Sequence, residues 1–191
     1  MGLLVDGVWQ ADAGRWADAR GRMQRPDSSL RNWITPDGSP GLSGRGGFKA
    51  EAGRYHLYIA RACPWAHRTT IFRELKGLQD IIGLSVTHWR MLENGWTFEP
   101  APGVVPDTVN GAQYLHQIYS KSDPQYSGRV SVPVLWDKKM ERIVNNESSE
   151  IIRMLNSEFR RVAGDDTDYY PPALRAEIDR VNEVVYASVN N

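Results

Sequence analysis

One short run limits the possible folds more than any other. Tyr55-His56-Leu57-Tyr58-Ile59-Ala60 alternates with aromatic and β-branched residues, as a strand does, and Cys63-Pro64 then opens a helical pattern. Ile71, Leu75 and Leu78 recur at helical spacing beside Phe72, and Gly77 before Leu78 has the form of a C′ glycine with its hydrophobic contact. Leu84-Ser85-Val86-Thr87-His88-Trp89 alternates again. Strand, helix and strand in that order predict a βαβ unit, whose two strands lie parallel and are joined by a right-handed crossover.

The rest of the chain extends this unit. Met91 to Gly128 is long and interrupted by Pro and Gly, with one predicted helix around Ala112 to Ser120; a loop of that length in a compact domain is functional or disordered. Val132-Pro133-Val134-Leu135-Trp136 and Glu141-Arg142-Ile143-Val144 flank Asp137-Lys138-Lys139 as a hairpin. From Glu150 to Val162, the positions Ile151, Leu155 and Phe159 with Ile152 and Val162 make an amphipathic helix. The order β-α-β, excursion, β-β-α predicts an α/β fold with a mixed four-stranded sheet, the thioredoxin-like arrangement. Residues 1–53 read as an irregular arm with short structured pieces such as Leu30 to Ile34, and 54–163 as the thioredoxin-like domain. After a polar linker, Leu174, Ile178, Val181 and Val185 form an apolar stripe, so 169–191 reads as the first helix of an all-α domain cut short at Asn191.

Cys63 is the one cysteine among 191 residues, so no intrachain disulfide can form and a reducing, cytoplasmic setting is expected. With 23 basic and 23 acidic side chains the formal charge is zero, which gives no electrostatic reason to expect nucleic acid or a membrane surface. No ligand cluster for a metal stands out. Just before the first turn of a helix, a thiol meets unpaired backbone N–H groups and the positive end of the helix dipole, both of which favour thiolate. Pro64 suits the first helical position because its missing N–H has no partner to lose. Ala66 stands where a dithiol protein carries a second cysteine, so any disulfide at Cys63 forms with an outside thiol. A buried, inert Cys63 is the alternative.

Two further stretches suit a tripeptide thiol. Val132-Pro133 precedes a strand where thioredoxin-like folds place a cis proline, leaving the preceding backbone open to an extended peptide; an ordinary strand-initial proline is the plainer reading. In Asn145-Asn146-Glu147-Ser148-Ser149-Glu150 an Asn cap is expected to open the second amphipathic helix, presenting N–H groups and a hydroxyl to a carboxylate. His67, Trp89 and Trp96 read, on their own, as surface or packing residues.

Longer motifs add a resemblance. Ala62-Cys63-Pro64-Trp65-Ala66-His67-Arg68, Met91-Leu92-Glu93-Asn94-Gly95-Trp96, the run from Tyr126 to Asp137, and Asn146 to Arg153 look like the Xi-class glutathione transferases, the glutathionyl-hydroquinone reductases. The likeness runs end to end, including Arg31-Asn32-Trp33 and Tyr170-Pro171-Pro172. It implies a glutathione-binding first domain and a helical second domain supplying a hydroquinone pocket, as a homodimer in the full-length form, with glutathione as co-substrate and no metal. By the same resemblance Cys63 is the nucleophile and Trp96 lies over glutathione. Arg129, Val130, Ser131 and Val132 hold the peptide backbone, and Glu147 and Ser148 take the γ-glutamyl end. The family's catalytic tyrosine is expected beyond Asn191. Three readings follow: a reductase acting through a Cys63–glutathione mixed disulfide, a non-catalytic glutathione-binding module, and a plain structural domain made by truncation that associates through its final helix.

Overall fold

The computed structural model describes residues 2–11 and 28–189. Most of the stretch between Gly14 and Ser28, part of the expected arm, therefore lies outside the described residues. Strands are β1 (Leu3–Val5), β2 (Val8–Gln10), β3 (Tyr55–Ala60), β4 (Gly83–Thr87), β5 (Val134–Asp137) and β6 (Arg142–Asn145). Helices are α1 (Pro64–Leu75), α2 (Leu115–Ser122), α3 (Ser148–Ser157), the single turn α4 (Arg160–Ala163) and α5 (Arg175–Ser188), the last preceded by a 3₁₀ turn at Pro172–Leu174.

The main sheet has the order β4-β3-β5-β6. β3 and β4 run parallel, while β5 is antiparallel to both β3 and β6. This is the mixed thioredoxin-like sheet expected from the element order. β3 is buried along its whole length, as a central strand with helices or loops on both faces must be. Phe159 meets the Tyr55 ring edge-on at 5.8 Å on one face, where α1 and α3 pack together. The other face carries His56, Tyr58 and Trp136 and is covered by α2 and the excursion that precedes it.

That excursion is ordered by bonds of its own. Val105 exchanges two 3.0 Å backbone bonds with Val86. Asp107, buried, accepts from the Tyr58 hydroxyl at 2.9 Å and from the amides of Val109, Asn110 and Ala112 at 3.0 to 3.1 Å. One carboxylate thereby satisfies a whole turn and fixes it to β3.

Four expectations are corrected by the structure. Residues 3–10, expected within an irregular arm, form a β1–β2 hairpin in register Leu3 to Gln10. On α1 the buried positions are Ala66, Thr69 and Arg73, whereas Ile71 and Leu75 are exposed. Small residues let α1 approach the sheet closely, and Arg73 sends its head to the carbonyls of Ile82 and Gln79 at 2.8 and 2.7 Å. The helix expected from Glu150 to Val162 breaks at Glu158-Phe159 into α3 and α4. The second strand of the βαβ unit ends at Thr87, before His88 and Trp89.

The close of α1 follows the expected pattern. Gly77 is left-handed at φ +61. Its N–H donates to the Glu74 carbonyl at 3.0 Å, and Leu78 N–H donates to Arg73 at 2.9 Å. That is a complete Schellman cap with Leu78 fully buried beneath it. α5 buries none of its residues; Val181, Val184, Val185 and Tyr186 are exposed.

Candidate active site

Cys63 is the N-cap residue of α1, extended at φ −103 and ψ 113, with Pro64 at the first helical position. Its amide donates to Ala60 at 3.0 Å and its carbonyl accepts from His67 at 3.0 Å, so the backbone on both sides of the thiol is fixed. Sγ is partly exposed and lies 3.6 Å from the Val132 carbonyl oxygen. The Val132-Pro133 bond is cis. Val132 N–H makes no hydrogen bond among the described residues, so the segment beside the sulfur keeps an unused backbone donor.

A buried hydroxyl holds that segment in place. Tyr119, on α2, donates to the Ser131 carbonyl at 2.8 Å and accepts from Ser131 N–H at 3.2 Å and from the Asn146 amide at 2.9 Å. Burial pushes the Tyr119 phenol up, so it stays protonated and able to donate. Ser131, the cis proline and the approach to α3 thereby share one anchor. Tyr126 does the same for Arg129, donating its hydroxyl to that carbonyl at 3.0 Å. Val130 is buried between them.

The N-terminus of α3 differs in detail from expectation. Its cap is Glu147, not an Asn: the Glu147 carboxylate accepts from Ser149 N–H at 3.0 Å, while Asn145 accepts from Glu147 N–H at 2.7 Å. An acidic cap suits the positive end of the dipole as well as an amide does. Ser148, the first helical residue, is buried.

Arg68 ties this helix to the cysteine helix, and sequence reasoning passed over it. Its Nε and Nη2 both donate to Ser148 Oγ, at 3.0 and 2.7 Å, and Nη2 lies 3.6 Å from the Glu147 carboxylate. The guanidinium sits 5.1 Å over the Trp65 ring and within electrostatic reach of Cys63. Burial lowers the Arg68 pKa from its ordinary value, opposed by the charge of Glu147. With both lone pairs of Ser148 Oγ engaged by Arg68, its own hydroxyl proton is left to donate. The available signal was spacing: an arginine one turn beyond Pro64 shares the face of α1 that abuts α3.

Thus Cys63, Val132, Ser131, Glu147 and Ser148 form one connected cluster, and Val130 and Arg129 precede Ser131 in the chain. Trp96 reaches it less directly. No hydrogen bond or ring contact joins Trp96 to Cys63 among the described residues; its carbonyl accepts from Leu115 N–H at 2.9 Å, one turn of α2 before Tyr119. His67 is exposed. A cavity of about 550 Å³ opens at the opposite end of β3, lined by His56, Leu84, Asn110 and Trp136, away from the thiol. Among the described residues no group of three or more His, Cys, Asp or Glu could hold a metal ion, and no helix is long and apolar enough to cross a membrane.

The family model "Glutathione S-transferase, N-terminal domain" matches residues 62–158, from just before the thiol to the end of α3. The chain belongs to the glutathione S-transferase family. Within it, the glutathionyl-hydroquinone reductase YqjG of Escherichia coli is 54% identical, over all of this chain and 58% of its own length. PcpF of Sphingobium chlorophenolicum, also named a glutathionyl-hydroquinone reductase, is 53% identical over the same shares. The glutathione-bound structure of YqjG superposes with a TM-score of 0.88 at 51% identity, covering all of this chain and 56% of that one. The Xi glutathione S-transferase of Phanerochaete chrysosporium gives 0.80 at 50% identity, over 87% of this chain and 55% of its own. This family member therefore spans under two thirds of the relatives it matches.

Proposed function

We propose that this chain carries the glutathione half of a glutathione-dependent reductase that removes glutathione from glutathionyl-hydroquinones. The observation that carries the reading is the single cluster described above, in which a partly exposed sulfur at a helix mouth faces the backbone of Val132. The unused Val132 N–H, with the carbonyl that faces the Cys63 sulfur, suits the cysteinyl peptide of glutathione as a short strand pairing. Ser148, with its proton freed by Arg68, suits the γ-glutamyl carboxylate, and Glu147 its ammonium group. Trp96 would close over the peptide from the loop that Leu115 holds, and Arg129 and Val130 would shape its far side.

The chemistry is two thiol exchanges. Cys63 thiolate attacks the glutathionyl sulfur of the substrate; the sulfur–aryl bond breaks, its electron pair stays on the ring carbon, and that carbon takes a proton to give the hydroquinone. Glutathione thiolate then attacks the Cys63–glutathione disulfide, regenerating Cys63 thiolate and leaving oxidised glutathione. The quinol ring loses its sulfur substituent and two glutathiones are joined, so electrons balance. The reading carries with it a reducing, cytoplasmic setting and a homodimeric full-length form.

The alternative is a module that binds glutathione without turnover, which the same cluster would permit. Incubating the chain with a glutathionyl-hydroquinone and excess glutathione separates the two readings. Hydroquinone release that is abolished by Cys63→Ser supports the reductase. Glutathione binding by titration calorimetry with no hydroquinone released supports the module.

A further inference from the structure

The β1–β2 hairpin touches both the segment that leads to Val132 and the loop that carries Trp96. On one side Leu4 exchanges two 2.9 Å backbone bonds with Gly128, Gly7 N–H donates to Tyr126 at 3.0 Å, and Asp6 N–H donates to the Ser127 hydroxyl at 2.8 Å. Tyr126 in turn holds the Arg129 carbonyl, so the hairpin fixes the root of the segment that ends at Val132. Its turn is seated tightly: a Cβ on Gly7, at φ +75, would stand 2.0 Å from the Pro124 carbonyl oxygen.

On the other side stands Trp9. Its indole N–H donates to the Glu93 carbonyl at 3.0 Å, and a Cβ on Gly95 would meet its ring at 3.0 Å. The ring stacks on His116 at 4.8 Å and 13°, and His116 stacks in turn on Tyr114 at 5.3 Å. Trp9 therefore grips the 93–95 turn from outside while α2, through Leu115, holds the carbonyl of Trp96 from inside. Leu4 and Trp9 are directly paired across the hairpin, so the two grips belong to one rigid unit.

We propose that the Leu3–Gln10 hairpin is a positioning clamp for glutathione, with Trp9 as the residue that sets the loop carrying Trp96 and Leu4 the residue that sets the segment carrying Val132. The inference rests on the function proposed above. A ligand lying between two loops loses affinity when those loops must be ordered at the moment of binding, because the ordering is then charged against the contacts it makes. The clamp removes that charge in advance.

The test uses Trp9→Ala and the milder Trp9→Phe, which keeps an aromatic ring beside His116 but loses the bond to Glu93 and the outer indole ring against Gly95. In Trp9→Ala the glutathione Kd and KM rise roughly tenfold, while the rate at saturating glutathione stays within about twofold of the parent; Trp9→Phe gives roughly a threefold rise. Amide exchange at Gly95 and Leu115, read without glutathione, accelerates in Trp9→Ala. Unchanged exchange with Kd within twofold in both variants would overturn the clamp, as would a fall in saturating rate at unchanged KM. A parent chain indifferent to glutathione would sink the function proposed above and with it the ligand given to the clamp, whereas faster exchange in that case would still show the clamp itself.

Discussion

Arg68 gives the sharpest prediction because it joins the thiol helix to the α3 N-terminus through few, countable contacts. Arg68→Ala removes two charged hydrogen bonds to one buried hydroxyl and a 3.6 Å ion pair to Glu147. A hydrogen bond to a charged group contributes about 1.5–3 kcal/mol. The Arg68 side chain is 32% exposed and Glu147 37%, so the ion pair adds little and the bonds belong at the low end of that range. Two bonds at that end sum to a loss of about 3 kcal/mol in urea unfolding, and the loss of the guanidinium that orients Ser148 weakens the glutathione Kd roughly tenfold if Ser148 is the carboxylate donor. Arg68→Lys keeps the charge but cannot place two donors on one oxygen, so it recovers only part of the loss. Titration calorimetry with glutathione on both variants, with urea unfolding as a control, reads the two effects. Glutathione affinity within twofold of the parent in Arg68→Ala would refute the assignment of Ser148 and Arg68 to ligand binding.

Other outcomes follow from the packing. Arg54→Ala leaves the fully buried Asp137 carboxylate without the guanidinium that now bonds it at 2.9 and 3.0 Å, and costs about 3–5 kcal/mol in urea unfolding; a loss below about 1 kcal/mol would contradict it. Ala66→Leu overpacks the contact of α1 with the sheet and costs about 1–3 kcal/mol, whereas Ile71→Ala on the exposed face costs under about 0.5 kcal/mol in this chain. Burial holds His56 at about 4 against an ordinary 6.5, so the unfolded chain takes up this proton first as pH falls. Stability is therefore lost between about pH 6.5 and about pH 4, by up to roughly 3 kcal/mol, and His56→Asn flattens the urea midpoint over that window.

The sheet was legible because each of its strands is short, apolar and bounded by Gly, Pro or polar residues, and the Schellman close of α1 was legible because a glycine just past the last helical turn, followed by an apolar residue, is the signature of that cap. The buried face of α1 was not, since a helix that packs closely on a sheet selects Ala66 and Thr69, which carry no strong hydrophobic signal. Burial of Arg73 depends on carbonyls at Gln79 and Ile82, which no local pattern points to. The N-terminal hairpin did leave a signal: Val5-Asp6-Gly7-Val8 has Asp-Gly between apolar residues, and both turn residues adopt positive φ, as a two-residue hairpin turn requires. Three-residue strands are too short for alternation to register. For the site, Cys63 and Val132 stood out by position, while Arg68 and Tyr119 act through partners about 80 and 12 to 27 residues away and became visible only with the tertiary contacts.

The central claim is that one sulfur, held beside the Val132 backbone, exchanges with glutathione. Incubation with oxidised glutathione followed by intact mass measurement and peptide mapping tests it directly. The account predicts a gain of one glutathionyl group, located on Cys63, reversed by reduced glutathione and absent from Cys63→Ser. An unchanged mass under conditions that modify a free small-molecule thiol would contradict it.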